Sequence, residues 1–485
     1  MLEKQDFALK HFVMKQTLFA ACFLLTCQIL AARTNQPLSP RLSSDSNLSR
    51  TLDSLLSPQF KLTEPGIAVL VAKKGEIIYK KAFGSANIEL NTPLQPDMVF
   101  RIGSITKQFT AVAILQLAEQ GRLTLQDSVR QYIKDFPSKG HTITLEHLLT
   151  HTSGIRDYAD ADSSNPFIER EDFTPVRLIN YFKDWPLEYA PGSKYSYSNS
   201  NYVLLGYIIQ LVSGQDYHQY LKDHILTPAG LRHTGYAEER TIIPGRVQGY
   251  MRNRGFFENT DYQTLSMGFA CGDLLSNTED LYRWNNLVVS NSLISRSSVD
   301  KAFSPYKQTD GTFSKYGYGW FIDTSYGHRC IHHEGQVSGF IALEMYFPAE
   351  DIYIAILTNV KSGEDKTDFS DRRFRLFTQI AYLALGNNFL RQVEVSAATL
   401  DSYAGVYQLS SGKATLTIYK KEGNLYCDLS NGTGKNMLLS PLSETKFYLP
   451  DVRRIYTTFE FMLEGGKVTT VVTNQEKKYE WKKVK

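Results

Sequence analysis

The sequence predicts an α+β fold: an antiparallel sheet flanked by helices, followed by a small all-β module. Three observations predict it. The stretch GIAVLVAKKGEIIYKKAFG (Gly66–Gly84) holds two β-rich runs around Lys73-Lys74-Gly75-Glu76, a hairpin pattern. The stretch FIALEMYFPAEDIYIAILTN (Phe340–Asn359) repeats that pattern far downstream and turns at Pro348 to Asp351. Between them lie mostly helical or irregular segments, so strands from both ends of this long stretch are expected to share one sheet.

The elements follow in chain order. Lys15 precedes the apolar stretch LFAACFLLTCQILAA (Leu18–Ala32), a charged lead, a short apolar core and small residues at its end. This predicts a secretory signal peptide over residues 1–32, and it is too short and too polar for a membrane span of ~20 apolar residues. Export to a periplasmic or extracellular location follows, with anchoring through the N-terminus, by Cys27 or a retained leader, as the alternative. Residues 33–54, rich in Ser, Asn and Pro, are expected as a flexible lead-in. The main domain is placed at 55–388, with helical patterns at Leu145–Leu149, Asn201–Ser213, Thr278–Val289 and Arg372–Leu385. From Val395 the texture changes to short alternating strands split by Gly and Asn turns, which places an all-β domain, barrel or sandwich, at 395–485.

The bulk numbers agree with this division. A chain of 485 residues is too long for one core. Hydrophobic residues at 42% and charged residues at 21% fit a soluble globular protein. The net charge is only +3, and no basic cluster interleaves with aromatics, so no nucleic-acid partner is expected. Of the five cysteines, Cys22 and Cys27 fall in the leader, leaving Cys271, Cys330 and Cys427 widely scattered. They form neither a disulfide framework nor a metal-ligand spacing. No metal and no cofactor is implied.

Chemistry enters with S-x-x-K, which occurs five times, beginning at Ser104, Ser298, Ser304, Ser410 and Ser443. Ser304 precedes a proline, Ser410 sits in a turn, and Ser298 has room only for a short helix before Pro305. Ser443 falls among strands, where a three-residue step puts the two side chains on opposite faces. Ser104 differs. Gly103 precedes it, Ile105, Phe109, Val112 and Leu115 trace a helical stripe after it, and Gly121 supplies a stop. A helix amino end favours a developing anion. Lys107, one turn on, shares the face of Ser104 and, once desolvated, titrates low enough to serve as a base. The ordinary alternative is an N-cap serine and a surface lysine.

Two further elements carry side chains of matching chemistry. In PGSKYSYSNSNYVLLG (Pro191–Gly206), Tyr197-Ser198-Asn199 is the chain's only Tyr-x-Asn. A lysine cation nearby biases Tyr197 toward phenolate and suits it to relay protons. Asn199 is able to bond both a substrate amide and Lys107, or simply to cap the following helix. In IHHEGQVSGF (Ile331–Phe340), an extended backbone puts His333 and Gly335 on one face. The glycine is expected to admit a substrate to the strand edge. The N–H of Gln336 is expected to join that of Ser104 as an oxyanion hole. The pair His332-His333 has no further ligand at regular spacing, which argues against a metal site.

Together, in this order, the three elements resemble the serine β-lactamase and penicillin-binding-protein superfamily. The likeness is greatest to its class C-like branch of β-lactamases, DD-peptidases, D-aminopeptidases and family VIII esterases. The stretches FRIGSITKQFTAVAILQLAEQGRLTLQDSV, LEHLLTHTSGI, PGSKYSYSN, YGYGW and HEGQVSGF are its landmarks, and it runs from about Gln59 to Gly386. No G-x-S-x-G occurs, which disfavours an α/β-hydrolase. The resemblance implies the β-lactamase/transpeptidase-like fold with an all-helical subdomain. It implies Ser104 as acyl-accepting nucleophile, Lys107 as holder of its proton, Tyr197 as general acid/base, Asn199 as partner of substrate and lysine, and His333-Gly335 as the third motif. The 395–485 module resembles the lipocalin-like appendages of some members.

One departure bears on substrate. The third motif of true β-lactamases begins with lysine, a fixed cation, whereas an unperturbed histidine is mostly neutral at pH 7. A site with His333 grips a substrate carboxylate less firmly, which favours esters, amides or D-amino-acid peptides over β-lactams. The expected partner is therefore a small-molecule or peptide substrate of a secreted serine hydrolase. The alternatives are a non-catalytic relative that binds cell-wall fragments or a protein partner, and a structural role led by the β module.

Overall fold

The computed structural model describes residues 46–160, 170–236, 240–362, 369–386, 395–430, 434–449, 457–474 and 478–484. The leader expected over 1–32 lies outside the described residues, as does the first part of the expected lead-in. From Ser46 the lead-in is not irregular: Ser46–Leu56 is a helix, α1. Leu48, Leu52 and Leu55 recur at helical spacing, a stripe hidden within a Ser- and Asn-rich composition. Leu52 and Leu56 are fully buried, each worth roughly 1.5–3 kcal/mol against exposure. That burial overrides the composition.

Six strands make the main sheet: β1 (Ile67–Lys73), β2 (Glu76–Phe83), β3 (Phe321–Ser325), β4 (His328–Val337), β5 (Phe340–Phe347) and β6 (Ile352–Thr358). They lie in the order β3-β4-β5-β6-β1-β2, each pair antiparallel. Both hairpins turn where their patterns place them. β1 pairs with β6 from Ile67↔Thr358 to Lys73↔Ile352, so the two ends of the domain do share one sheet. β1 shows why its sequence does not alternate. Ile67, Val69 and Val71 enter one core cluster, and Ala68, Leu70 and Ala72 enter the other. A strand covered on both faces is an unbroken apolar run.

The helices that matter below are α2 (Thr106–Glu119), α3 (Leu145–Leu149), α4 (Asn199–Ser213), α5 (Thr278–Val289) and α6 (Phe369–Ala384). On one face of the sheet Leu52 and Leu56 of α1 pack with Leu376, Phe377 and Ile380 of α6. On the other lies the larger cluster, which includes α2, α4 and α5. The stripe expected on α2 understates its burial: every residue from Thr106 to Leu115 is buried. A helix covered on all sides is a core element, and its polar members are bonded. Thr110 Oγ1 donates to the Ala270 carbonyl at 2.6 Å, and Gln108 joins a network described below. Gly121 ends the segment with φ +69°.

Beyond Val395, eight strands from Gly405–Leu409 to Lys478–Lys483 close into a barrel, the last pairing with the first through Tyr407↔Lys483. Closure leaves no free sheet edge. The interior is filled with side chains. Tyr403 stacks on Phe461 with ring centroids 4.0 Å apart, and Trp481 Nε1 donates to Thr473 Oγ1 at 2.9 Å. Among the described residues, no helix is long and apolar enough to cross a membrane.

Candidate active site

The four demoted serines are engaged elsewhere or locally. Ser298 Oγ donates to Glu119 Oε1 at 2.6 Å, Ser304 Oγ donates to the Asp300 carbonyl at 2.6 Å, and Ser443 Oγ accepts from the Lys446 N–H at 3.0 Å. Ser410 lies in a turn. Ser104 sits in a 3₁₀ turn, Gly103–Ile105, that runs directly into α2. It caps nothing and is partly exposed, while Lys107 behind it is fully buried.

Lys107 is held by all three of its donor directions. Its Nζ reaches Ser104 Oγ at 3.0 Å, Asn199 Oδ1 at 2.8 Å and the Cys271 carbonyl at 2.9 Å. Burial pushes its pKa down to about 8, against the opposing pull of Asp157. No exposed lysine would do this. Asn199 opens α4 without capping it. Its Nδ2 donates to Asp157 Oδ2 at 2.9 Å, which turns its Oδ1 toward Lys107. Both ends of the amide are thus engaged by protein, with one N–H and one lone pair left over.

The Tyr197 ring lies 4.8 Å from Lys107 Nζ. The expected bias toward phenolate is not found. Desolvation pushes the phenol well above 10, and its hydrogen bond with Ser104 offsets this only in part. Tyr197 is a neutral phenol because burial outweighs one nearby cation.

His333 and Gly335 both make close contacts within the protein. His333 is 1% exposed, and both ring nitrogens are committed. Nδ1 lies 2.6 Å from the Glu334 carbonyl, which only accepts, so Nδ1 carries the proton. Nε2 then accepts from the Tyr316 hydroxyl at 2.9 Å. Burial, then Lys107, holds the ring well below 6.5 and therefore neutral. His333 presents no free nitrogen to a substrate; it braces the strand. Gly335 makes room for the nucleophile turn. A methyl group there would collide with the Ile102 carbonyl oxygen and come within 3.0 Å of the Ser104 nitrogen. Reciprocally, a methyl group on Gly103 (φ +51°) would come within 2.8 Å of the Gln336 nitrogen. The β3 pairing ends at Phe321↔His332, so β4 beyond it has no β3 partner and meets this turn. The Ser104 and Gln336 backbone nitrogens are thereby neighbours, a geometry able to hold an oxyanion.

Several participants were not singled out from the sequence. Asp157 and the Cys271 carbonyl orient and hold the lysine. His151 packs its ring 4.3 Å from that of Tyr197, and Tyr316 bonds His333. His151 and Tyr316 lie inside quoted landmarks, where nothing showed which way they face; a backbone carbonyl leaves no side-chain signal at all. Beneath α2, Gln108 donates to Glu344 and accepts from Trp284 Nε1 at 2.8 Å, while Tyr353 donates to Glu344 at 3.0 Å. Burial raises the Glu344 carboxyl to about 7. Among the described residues no cluster of three or more His, Cys, Asp or Glu is placed to hold a metal ion.

With this geometry in hand, likeness to known proteins is informative. Residues 52–377 match the family model described as beta-lactamase, and residues 391–484 match a domain of unknown function, DUF3471. A putative penicillin-binding protein, PbpX, of Bacillus subtilis (strain 168) is 32% identical over 312 residues, 64% of this chain and 74% of the relative. Penicillin-binding protein 4* of the same organism is 29% identical over 422 residues, 81% of this chain and 89% of the relative. A solved structure, D-amino acid amidase from Ochrobactrum anthropi SV3 complexed with L-phenylalanine amide, superposes with a TM-score of 0.62. It covers 70% of this chain and 99% of that one; at 21% identity it shows a shared fold.

Proposed function

The chain belongs to the beta-lactamase family, and from that premise we propose that it is a serine hydrolase that opens an amide, peptide or ester bond through an acyl-enzyme on Ser104. The observation that carries the reading is Lys107 Nζ, 3.0 Å from Ser104 Oγ and brought by burial to a pKa of about 8. At pH 7 roughly a tenth of such a lysine is neutral and able to accept a proton. A cleft that merely binds has no need of a desolvated lysine on its serine.

The steps follow from the groups in reach. Ser104 Oγ adds to the substrate carbonyl carbon and its proton passes to neutral Lys107. The oxygen that gains the negative charge is met by the N–H groups of Ser104 and Gln336. The intermediate collapses to the acyl-enzyme, and the leaving amine or alkoxide takes a proton from the Tyr197 phenol, which Lys107 restores. Water then adds to the ester carbonyl and gives up a proton to Lys107. Ser104 leaves with a proton returned, so the sum is one bond hydrolysed and no group consumed.

The substrate class follows from charge. Where a lysine would stand, His333 is neutral and turned to Tyr316, so at this position β4 offers no fixed cation to a carboxylate. Small esters, amides and D-amino-acid peptides fit this site better than β-lactams. The amidase activity in the name of one structural neighbour is of the same kind. The apolar leader supports an exported enzyme. A serine-directed fluorophosphonate probe tests the assignment: wild type is labelled and Ser104→Ala is not, whereas a folded wild type left unlabelled overturns it.

A further inference from the structure

We propose that His151 is a positioning residue that brackets Tyr197 and holds its hydroxyl at Ser104, an inference that rests on the acyl-transfer reading above. The backbone at His151 is left-handed, φ +56°, a conformation uncommon for any residue but glycine and one that persists where surroundings impose it. The surroundings here are specific. The Ser196 N–H donates to the His151 carbonyl at 3.0 Å, and the Ser198 N–H donates to His151 Nδ1 at 3.2 Å. These are the two amides on either side of Tyr197. A single residue thus grips the chain before and after the phenol, once through its backbone and once through its ring.

The ring also supplies a wall. It lies 4.3 Å from the Tyr197 ring, 5.1 Å from Tyr202 and 4.7 Å from Tyr316, centroid to centroid. Accepting at Nδ1 places the ring proton on Nε2, which has no hydrogen-bond partner among the described residues. A second proton, at Nδ1, would face the Ser198 N–H and break the grip. Burial, then the charge of Lys107, keeps it off. The loop is pinned in turn: Ser153 Oγ donates to Asn201 Oδ1 at 2.6 Å, and the Gly192 N–H donates to the Thr152 carbonyl at 2.7 Å. Each route leads back to α4 or the segment before it.

The test is a double-mutant cycle on hydrolysis of a short alkyl ester, whose alkoxide leaves only with the proton that Tyr197 supplies, with kcat, KM and thermal melting measured together. Glycine adopts the left-handed backbone freely, so His151→Gly removes the ring and acceptor without adding strain. His151→Asn also tolerates that backbone and offers an amide oxygen to Ser198. The expected result is that His151→Gly lowers kcat by roughly tenfold to a hundredfold and leaves KM within about threefold. His151→Asn falls between it and wild type. In a Tyr197→Phe background neither change lowers kcat further, because the grip acts only through the phenol. Wild-type kcat in both folded single variants, no loss in Tyr197→Phe itself, or a loss repeated in full in that background overturns the proposal. If His151→Gly does not fold, the Asn cycle decides alone. Failure of the underlying acyl-transfer reading looks different: Ser104→Ala would then still hydrolyse the ester at the wild-type rate.

Discussion

Gly103 and Gly335 pack backbone to backbone, and neither has room for a methyl group. This contact sets the Ser104 and Gln336 nitrogens side by side. Gly335→Ala must push the 102–104 turn away from β4, an overpacking that costs ~1–3 kcal/mol. We expect a lower melting temperature and, in the fraction still folded, a loss of kcat/KM. Activity unchanged in folded Gly335→Ala would show that the turn and strand need not touch.

Lys107 makes a prediction about pH. Its pKa is lowered from 10.5 to about 8 in the folded protein, so between those values the unfolded chain binds the extra proton. Stability therefore rises with pH across that window, by ~3 kcal/mol in all. Turnover rises through about pH 8 as the neutral amine forms. Lys107→Met should lose turnover and, in denaturant titrations at pH 7 to 10, lose this slope relative to wild type.

Glu344 works in the opposite sense. Its folded pKa is raised from 4.5 to about 7 by burial, so its contribution is present below pH 4.5 and is lost as pH rises to 7. Glu344→Gln removes that loss. Its amide still accepts from Gln108, and the Tyr353 hydroxyl can turn to accept from it. The variant should melt higher than wild type at pH 8 and equally at pH 4.5; a lower melt at pH 8 contradicts the neutral-carboxyl account.

Substrate preference follows from His333. We expect measurable hydrolysis of short p-nitrophenyl esters, and of D-aminoacyl amides or peptides, with weak or no penicillin turnover. A panel that includes a penicillin and a D-Ala-D-Ala peptide decides it. Rapid penicillin hydrolysis would contradict the inference from a neutral His333.

Ser104 and Lys107 were legible because a helical pattern, a preceding glycine and a downstream stop put them together within one turn, and the two distant elements supplied compatible chemistry. Both hairpins were legible because a turn between two β-rich runs is a local signal. What was not legible was direction and depth. His333 turns to Tyr316, a residue whose own stretch says nothing of where its hydroxyl points. Tyr197 stays neutral because of burial, and burial is a property of the packed molecule. Gly335 makes room for Gly103, so each glycine explains the other only once the chain is folded. The helix at Ser46 was masked by composition, since its stripe of leucines is sparse and its polar residues are typical of linkers.

The central claim is a covalent acyl group on Ser104. Rapid quenching into acid during p-nitrophenyl ester turnover, followed by intact-mass and peptide analysis, measures it directly. The account predicts a transient mass increase equal to the acyl group less one hydrogen, carried by the Ser104 peptide and absent in Ser104→Ala. Turnover without any acylated peptide, or an acyl group on another residue, would contradict it.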